Sequence, residues 1–358
     1  MKAQSSLVKT KLAKMRCTRS GRGTIVAYHI SRRIALGFFV VVVFFAGGQP
    51  AWADSYSFTT IDVPGATETY ADGINNKHQI VGFFSDARGP HGFVDTGGVF
   101  TTIDPPYGPL VDSYFGIGIN DRGQIVGTSN VLDANSRIVG STGFLDRGGV
   151  FTKINAPGAD FTQLLGINNS GQIIGFFSDA NGTHGFVDTG GVFTIIQDPN
   201  ASGASIPFGI NNGGQIVGWF DEGATTHGYL YNNGIFTTID DPAAPNATFS
   251  TGINDKGQIV GFYIDATGFH GFEDTNGTFT TINDPNAAGF GGSFAYAIND
   301  SVQVVGQFGN HSFVAKPVLE LGTVATPVPE PGTVMLLVIG LTGIAFISRR
   351  RVMTSAAK

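Results

Sequence analysis

Apolar and polar positions follow a pattern along the chain that returns every 43 to 48 residues. Its most regular part is the phrase Gly-Ile-Asn-Asn/Asp-x-x-Gln-Ile-Val-Gly. The phrase occurs six times, beginning at Gly73, Gly118, Gly166, Gly209, Gly252 and, in a diverged copy, Ala297. A period of this length indicates six copies of one supersecondary unit.

Each copy predicts four short β-strands, around Gly-Ile-Asn, Gln-Ile-Val-Gly-Phe-Phe, His-Gly-Phe-Val-Asp and Val-Phe-Thr-Thr-Ile-Asp. Nine residues always separate the two glycine positions of the phrase, and seven separate the Phe of His-Gly-Phe from the Phe of Phe-Thr-Thr-Ile-Asp wherever both occur. These fixed spacings predict two tight hairpins in which Asn and Gly supply positive φ. No segment of residues 54–331 has a helical period.

Four-stranded units near 45 residues are typical of β-propeller blades. The sixth copy ends at Phe313-Val314-Ala315 without Phe-Thr-Thr-Ile-Asp, whereas an extra copy of that strand, residues 58–62, precedes the first unit. We therefore predict an all-β, six-bladed β-propeller over residues 54–317 that is closed by its N-terminal strand. A β-solenoid or an open stack of units is the alternative.

Residues 1–53 are predicted to be a signal peptide. Nine Lys/Arg precede the apolar run 34–46, which is too short to span a bilayer comfortably. Ala51-Trp52-Ala53 fits the small-x-small rule of signal peptidase, which places the mature N-terminus at Asp54. An uncleaved anchor is the alternative. The only cysteine, Cys17, would be removed, so the mature chain would contain no disulfide.

The charge of the mature region limits the class of partner. Residues 54–331 contain eight Lys/Arg and 27 Asp/Glu, a net charge of −19, although the whole chain has only −6. Such a field repels phosphate backbones and attracts cations. Nucleic acid is therefore not expected as a partner.

The C-terminal region has three parts after a linker at 318–328. Pro329-Glu330-Pro331 precedes an apolar stretch at 333–347, which we predict to be a transmembrane helix. Arg349, Arg350 and Arg351 follow, before a cytoplasmic tail at 352–358. The positive-inside rule would keep the arginines in the cytoplasm. A plain single-span anchor is the alternative to a sorting signal.

Residues 329–351 resemble the PEP-CTERM protein-sorting signal of Gram-negative bacteria that make exopolysaccharide. The six units resemble the extracellular HAF-type repeat, with Gly in place of the middle Ala. The resemblance implies that an exosortase recognises Pro329-Glu330-Pro331 and cleaves nearby. The protein would be anchored in the inner membrane during transit and then reach the cell surface or extracellular matrix.

Recurrent histidines and aspartates are the residues that suggest metal binding. The histidines are His91, His184, His227, His270 and His311. A histidine at the same hairpin position in successive units usually bonds the backbone of its own unit, so we interpret all five as structural. Asp86, Asp179, Asp221 and Asp265 recur in a turn, but no complete calcium-loop pattern is present. We predict no metal site and no cofactor, with Ca²⁺ left open.

Catalysis requires residues that break the symmetry of the repeat. The sequence contains no nucleophile elbow, zinc helix motif or phosphate loop, and we predict no catalytic residues. We expect an exported structural or adhesive protein that binds extracellular polysaccharide or a surface partner. The alternative is a propeller hydrolase or lyase that uses a carboxylate pair such as Glu222 and Glu273. Aromatic residues recur in the connections between units, at Tyr70, Tyr107, Tyr114, Phe161, Phe208, Phe249, Phe290 and Tyr296. Packing between neighbouring units is the favoured interpretation of these positions because they are nearly periodic, and an exposed binding surface is the alternative.

Overall fold

The computed structural model describes residues 56–108, 118–133, 137–244 and 247–318. This part contains 24 β-strands and one 3-10 helix of three residues, Pro285–Ala287. The predicted all-β class is confirmed. No helix in the described part is long and apolar enough to cross a membrane. The predicted signal peptide and the segment 329–351, with its helix at 333–347, lie outside the described residues.

The strands follow the six sequence repeats, which we call units 1 to 6. Unit 1 contains β2 (Glu68–Ile74), β3 (Gln79–Asp86), β4 (Gly89–Thr96) and β5 (Phe100–Ile103). Unit 2 contains β6 (Gly118–Ile119), β7 (Gln124–Leu132), β8 (Ile138–Arg147) and β9 (Phe151–Ile154). Unit 3 contains β10 (Phe161–Ile167), β11 (Gln172–Asp179), β12 (Gly182–Thr189) and β13 (Val192–Ile196).

The remaining units repeat this order. Unit 4 contains β14 (Ser205–Ile210), β15 (Ile216–Glu222), β16 (Thr225–Asn232) and β17 (Ile235–Ile239). Unit 5 contains β18 (Thr248–Ile253), β19 (Ile259–Asp265), β20 (Gly268–Thr275) and β21 (Thr278–Ile282). Unit 6 contains β22 (Phe294–Ile298), β23 (Val304–Phe308), β24 (His311–Pro317) and the N-terminal strand β1 (Tyr56–Ile61).

Neighbouring strands within a unit pair antiparallel in chain order. In unit 6, β1 pairs antiparallel with β24, with Phe58 opposite Ala315, as the sequence predicts. Units 2 and 3 share one eight-stranded sheet because Phe161 of β10 pairs with Ser141 of β8. Strand hydrogen bonds in the described part therefore form five separate sheets and do not close them into one.

The two predicted hairpins differ in which residue takes positive φ. The second hairpin joins the third and fourth strands of a unit. Both of its central residues have positive φ, as at Asn233 (49°) and Gly234 (89°). The first hairpin joins the first and second strands of a unit, and there the residue before Gln has positive φ. This residue is glycine in units 2 to 5, His78 (61°) in unit 1 and Val302 (58°) in unit 6. The expectation that Asn supplies positive φ in the first hairpin is therefore wrong, because Asn has a different role there.

The hydrophobic core is divided among the junctions between units. The junction of units 1 and 2, for example, packs Val81 and Ile103 against Ile119, Ile125 and Phe144. Equivalent clusters occupy each of the other junctions, including one between units 6 and 1. Each unit thus buries apolar side chains against both neighbours, which explains why its strands carry branched and aromatic residues on both faces.

The first strands of the six units, β2, β6, β10, β14, β18 and β22, are called the innermost strands. The glycines of the repeated phrase let these strands approach each other closely. A Cβ on Gly209 would lie 2.9 Å from the Cα of Gly252, and a Cβ on Gly252 would lie 2.9 Å from the Cα of Ala297. Contacts this short have no room for a side chain. The phrase is therefore regular because its backbone lies where the units converge.

The pairing of β1 with β24 generates a stability prediction. Deleting residues 56–61 should lower the free energy of unfolding by roughly 3–6 kcal/mol, because Ile61 is buried and the partner strand loses its hydrogen bonds. The melting temperature, measured by circular dichroism, should fall by about 6 °C or more. Ser57→Ala, at an exposed position of the same strand, is the control. An unchanged melting temperature after the deletion would contradict the assigned pairing.

Candidate functional site

A buried asparagine directly follows the last residue of the innermost strand in every unit. These residues are Asn75, Asn120, Asn168, Asn211, Asn254 and Asn299. The Oδ1 of Asn168 accepts hydrogen bonds from the backbone N–H groups of Ser170 (3.1 Å) and Gln172 (3.0 Å). Its Nδ2 donates to Oε1 of Gln172 (2.8 Å) and to the backbone oxygen of Asn211 in the next unit (3.1 Å). All four hydrogen-bonding positions of the amide are used.

The bond to the next unit recurs at every junction. The donor–acceptor distances from Asn75 through Asn254 are 3.0, 3.0, 3.1, 3.1 and 3.1 Å. Asn299 of unit 6 then donates to the backbone oxygen of Asn75 in unit 1 at 3.3 Å. The six bonds form a closed ring, which we call the asparagine circle.

The following residue forms a second ring beside the first. Its members are Asn76, Asp121, Asn169, Asn212, Asp255 and Asp300. The backbone N–H of each donates to a side-chain oxygen of the next, at distances of 2.7 to 2.9 Å. Both rings and the preceding isoleucines line a small cavity of 70 Å³.

Asp121 shows how the second ring tolerates carboxylates. Burial is the largest influence on the pKa of Asp121 and acts to raise it. Hydrogen bonds from the Asn169 side chain and from the backbone and side chain of Asn76 together outweigh burial, so the pKa lies below its ordinary value. The described residues contain no group of three or more His, Cys, Asp or Glu arranged to hold a metal ion. The two rings therefore connect the units and form no recognisable metal centre.

Three residues before the asparagine, the innermost strands differ from unit to unit. The residue before the repeated glycine is Asp72, Leu165, Phe208, Thr251 or Tyr296 in the five units where this position is described. These residues surround a depression of 90 Å³. Asp72 is its only ionisable carboxylate among the described residues.

Aromatic side chains extend from this depression across units 4 to 6 as one contiguous series, which we call the aromatic run. Its members are Phe208, Trp219, Phe249, Phe262, Phe269, Phe294 and Tyr296. Trp219 lies 5.6 Å from Phe249, edge to face, and Phe249 stacks on Phe262 at 4.7 Å. Phe262 and Tyr296 are buried, whereas the other five rings are partly exposed. Mutual packing fixes these rings while leaving part of their surface open to a ligand.

The aromatic residues in the connections between units differ in exposure. Tyr70 is buried and stacks on Phe83 at 4.7 Å, and Tyr296 is also buried. Tyr107 donates to the backbone oxygen of Phe151 and is half-buried. Phe161 and Phe290 remain exposed, and Tyr114 lies outside the described residues. Tyr70 therefore packs within unit 1, whereas Tyr107 bonds to the following unit.

The five predicted structural histidines contact side chains of the β-strands around them. Each lies within hydrogen-bonding distance of an aspartate: His91 with Asp104, His184 with Asp179, His227 with Asp240, His270 with Asp265 and His311 with Asp62. The distances are 2.9 to 3.2 Å. The expected backbone partners are thus replaced by carboxylates. The recurrent turn aspartates form local bonds, and those from Thr267 lower the pKa of Asp265 to about 2.

The two glutamates considered for catalysis occupy different environments. Glu222 is exposed at the end of β15. Glu273 is buried in β20 and accepts hydrogen bonds from Tyr56, Gln258 and Thr275. Glu273 therefore joins unit 5 to the N-terminal strand.

Comparison with known families assigns the C-terminal region. Residues 327–351 match the family model described as the PEP-CTERM protein-sorting motif. The predicted sorting motif is confirmed, and it implies an exported protein that passes through the membrane and is processed by an exosortase. Pro329, Glu330, Pro331 and Arg349 to Arg351 lie within the match, and Ala51, Ala53 and Asp54 of the predicted signal cleavage site lie outside both the match and the described residues. The HAF-type repeat remains a prediction.

Solved structures of similar architecture include enzymes. The streptogramin B lyase structure has a TM-score of 0.44 and 13% identity, covering 74% of this chain and 99% of that one. The structure of a putative gluconolactonase has a TM-score of 0.48 and 13% identity, and the match covers 74% of this chain and 93% of that one. A third structure is the β-propeller domain of the Trilobed protease from Pyrococcus furiosus, which is described as having an open velcro topology. It has a TM-score of 0.42 and 10% identity, and the match covers 70% of this chain and 83% of that one. Comparison with curated proteins finds no match. At these values the similarities assign no activity to this chain.

Asp121 provides a test of the second ring. Asp121→Asn replaces an oxygen that accepts amide protons from both Asn76 and Asn169, so it should lower the free energy of unfolding at pH 7 by about 1–3 kcal/mol. Because the folded-state pKa is depressed, the stabilisation by ionised Asp121 is present above its unfolded pKa and is lost as pH falls. Urea unfolding between pH 7 and pH 2 should therefore show a shallower acid loss in the variant. Asp160→Asn, at an exposed aspartate, is the control, and equal pH slopes for Asp121→Asn and the wild type would contradict the prediction.

Proposed function

We propose that the described residues form a six-bladed β-propeller, with units 1 to 6 as its blades. Support comes from the six junction cores and from the asparagine circle, in which unit 6 contacts unit 1 through the same bond as every other pair. The pairing of β1 with β24 gives unit 6 its fourth strand from the other end of the chain. A solenoid has no reason to bring its first and last units together.

We propose further that this propeller is an exported matrix protein that binds neutral extracellular polysaccharide through the aromatic run. The observation that carries the proposal is the series of partly exposed rings beside the depression at Asp72. Ligand sites in proteins combine aromatic surface with a few polar groups that fix orientation. Sugar rings offer matching chemistry, because their C–H faces pack on aromatic rings while their hydroxyl groups donate to a carboxylate.

Charge favours a neutral glycan over an acidic one. The region 54–331 has a net charge of −19, so an anionic polymer would approach against the protein's own field. The PEP-CTERM motif explains how the protein would meet such a glycan, because export and exosortase processing would place the domain among extracellular polymers.

Binding fits the site better than turnover does. Hydrolysis of a glycosidic bond by the common mechanisms requires two carboxyl groups that flank the bond. The depression carries one carboxylate among the described residues, and Glu273 is engaged by Tyr56, Gln258 and Thr275.

Trp219 provides the test of glycan binding. Trp219→Ala removes the ring between Phe208 and Phe249 and should weaken binding to the host exopolysaccharide about tenfold, equivalent to about 1.4 kcal/mol. Affinity electrophoresis of the purified chain through gels that contain the polysaccharide measures this change. Phe290→Ala is the matched control, because Phe290 is an exposed aromatic outside the run. Equal retardation of the wild type and Trp219→Ala would contradict the proposal, and release of reducing ends that is lost in Asp72→Asn would favour the hydrolase alternative.

The sorting signal generates a separate prediction. Replacing Pro329, Glu330 and Pro331 by alanine should leave Arg349 to Arg351 on the protein, because the exosortase would lose its recognition sequence. Mass spectrometry of the protein from the native host should find those arginines in the variant and not in the wild type. Leu321→Ala and Thr323→Ala in the linker are controls. Arginines retained in the wild-type surface protein would contradict exosortase processing.

A further inference from the structure

The two ends of the β-strands carry different exposed charges. At one end, which we call the circle end, lie the asparagine circle and both hairpins of every unit, such as residues 75–79 and 96–99 of unit 1. Of the eight Lys/Arg in residues 54–331, five lie exposed at the circle end. These residues are Lys77, Arg122, Arg147, Lys256 and Lys316. At the other end of the strands the described residues include only two, Arg88 and Arg137.

Most carboxylates at the circle end are withdrawn from the surface. Four aspartates are buried, and each accepts a hydrogen bond of 2.6 to 2.7 Å from the backbone N–H of a glycine in the second hairpin: Asp95, Asp146, Asp188 and Asp274. Glu273 is also buried. The remaining three, Asp121, Asp255 and Asp300, belong to the second ring and accept backbone N–H groups there. The exposed charge of this end is therefore mainly positive.

The negative charge of the region lies largely at the other end of the strands. The turn between the second and third strands contains an aspartate in units 1, 3, 4 and 5, namely Asp86, Asp179, Asp221 and Asp265. Strand β3 has eight residues, and a strand of that length spans about 26 Å. Because the Debye length is about 10 Å at 0.1 M salt, the acidic end contributes little to the field at the circle end.

Exposed aliphatic side chains also recur at the circle end. The first residue after the turn of the second hairpin is Val99, Val150, Val192 or Ile235 in units 1 to 4, and these side chains are 67 to 69% exposed. Thr278 and Ser57 occupy the same position in units 5 and 6, and their strands form as well. Strand formation therefore does not require an aliphatic residue at this position, and four exposed ones at one end indicate a contact surface.

Both ends of the described chain leave the fold at the circle end. Strand β24 runs back toward this end and finishes at Pro317, and Tyr56, the first residue of β1, lies opposite Pro317. Nine residues, 318–326, separate Pro317 from the segment that matches the sorting motif. Nine residues span at most about 32 Å. A chain anchored through the matched segment would therefore hold its circle end close to the membrane.

We infer that the circle end is a membrane-docking surface, which lies against anionic phospholipid head groups while the chain is anchored. The basic side chains attract anionic head groups, and the aliphatic side chains enter the boundary between head groups and acyl chains. The anchor makes the contact intramolecular, so individually weak interactions suffice. The inference goes beyond glycan binding, and it rests on the predicted membrane stretch at 333–347 and not on the aromatic run.

Fluorescence quenching in nanodiscs tests the docking. The full chain with Cys17→Ser receives one fluorophore in unit 5, through Thr278→Cys at the circle end or Ala266→Cys at the other end. The discs contain a lipid that carries a spin label on its head group, in phosphatidylcholine alone or in equal parts of phosphatidylcholine and phosphatidylglycerol. On the anionic discs the label at 278 should be quenched at least about threefold more than the label at 266. Neutral discs keep the anchor, so they measure its effect alone, and there or in high salt the difference should shrink.

Charge variants identify the basic residues as the cause. Replacing the five circle-end Lys/Arg by Gln should reduce the quenching at 278 on anionic discs to the level seen on neutral discs. Arg88→Gln combined with Arg137→Gln is the matched control at the acidic end and should leave the quenching unchanged. If circular dichroism shows that the fivefold variant is unfolded, Lys77→Gln combined with Lys256→Gln carries the test.

Aliphatic variants test the second part of the surface. Replacing the four circle-end Val/Ile by Thr, the residue that unit 5 has at this position, should also reduce the quenching at 278. Ile138→Thr combined with Val139→Thr is the control, because both side chains are exposed near the opposite end of unit 2. Equal quenching of the two labels, quenching at 278 that ignores lipid charge and salt, or quenching that survives both sets of circle-end substitutions would overturn the inference.

Discussion

The asparagine circle is the interaction on which the rest of the structure depends. Each amide satisfies the turn of its own unit and the end of the next unit's strand at once, so one residue links local structure to assembly. Removing one amide would leave several buried polar groups without partners, which costs more than a single exposed hydrogen bond. The repeated phrase is the most regular part of the sequence because every copy must provide the same donor, the same acceptor and the same close approach of backbone.

The strands were predictable from the sequence because their signals are local. Fixed spacings placed both hairpins, and the copy of Phe-Thr-Thr-Ile-Asp at residues 58–62 predicted the partner of β24. The asparagine circle was not predicted, because Asn was interpreted as a turn residue and its second role depends on the neighbouring unit. Packing was the favoured interpretation of the aromatic residues in the connections, and Tyr70 is indeed buried, although its partner Phe83 lies in the same unit. Contacts between units carry no sequence signal other than recurrence.

Positions away from the circle are free to differ between units, and the candidate sites lie there. The aromatic run occupies units 4 to 6, where Phe208 of unit 4 and Tyr296 of unit 6 stand at the position that holds Leu165 in unit 3 and Thr251 in unit 5. A symmetric framework thus supports an asymmetric distribution of chemistry, because substitutions at these positions leave the hydrogen bonds of the circle intact.

The pairing of β1 with β24 also bears on the order of events during export. A chain that crosses a membrane from its N-terminus delivers β1 first and β24 last, so the earliest strand waits through the passage of all the others before it meets its partner. Closing so long a loop makes this contact a late step in folding. A product cut short before β24 would leave β1 without its partner strand, exposing unpaired backbone groups. The order of the strands therefore makes the correct docking of the first strand depend on synthesis of the last one.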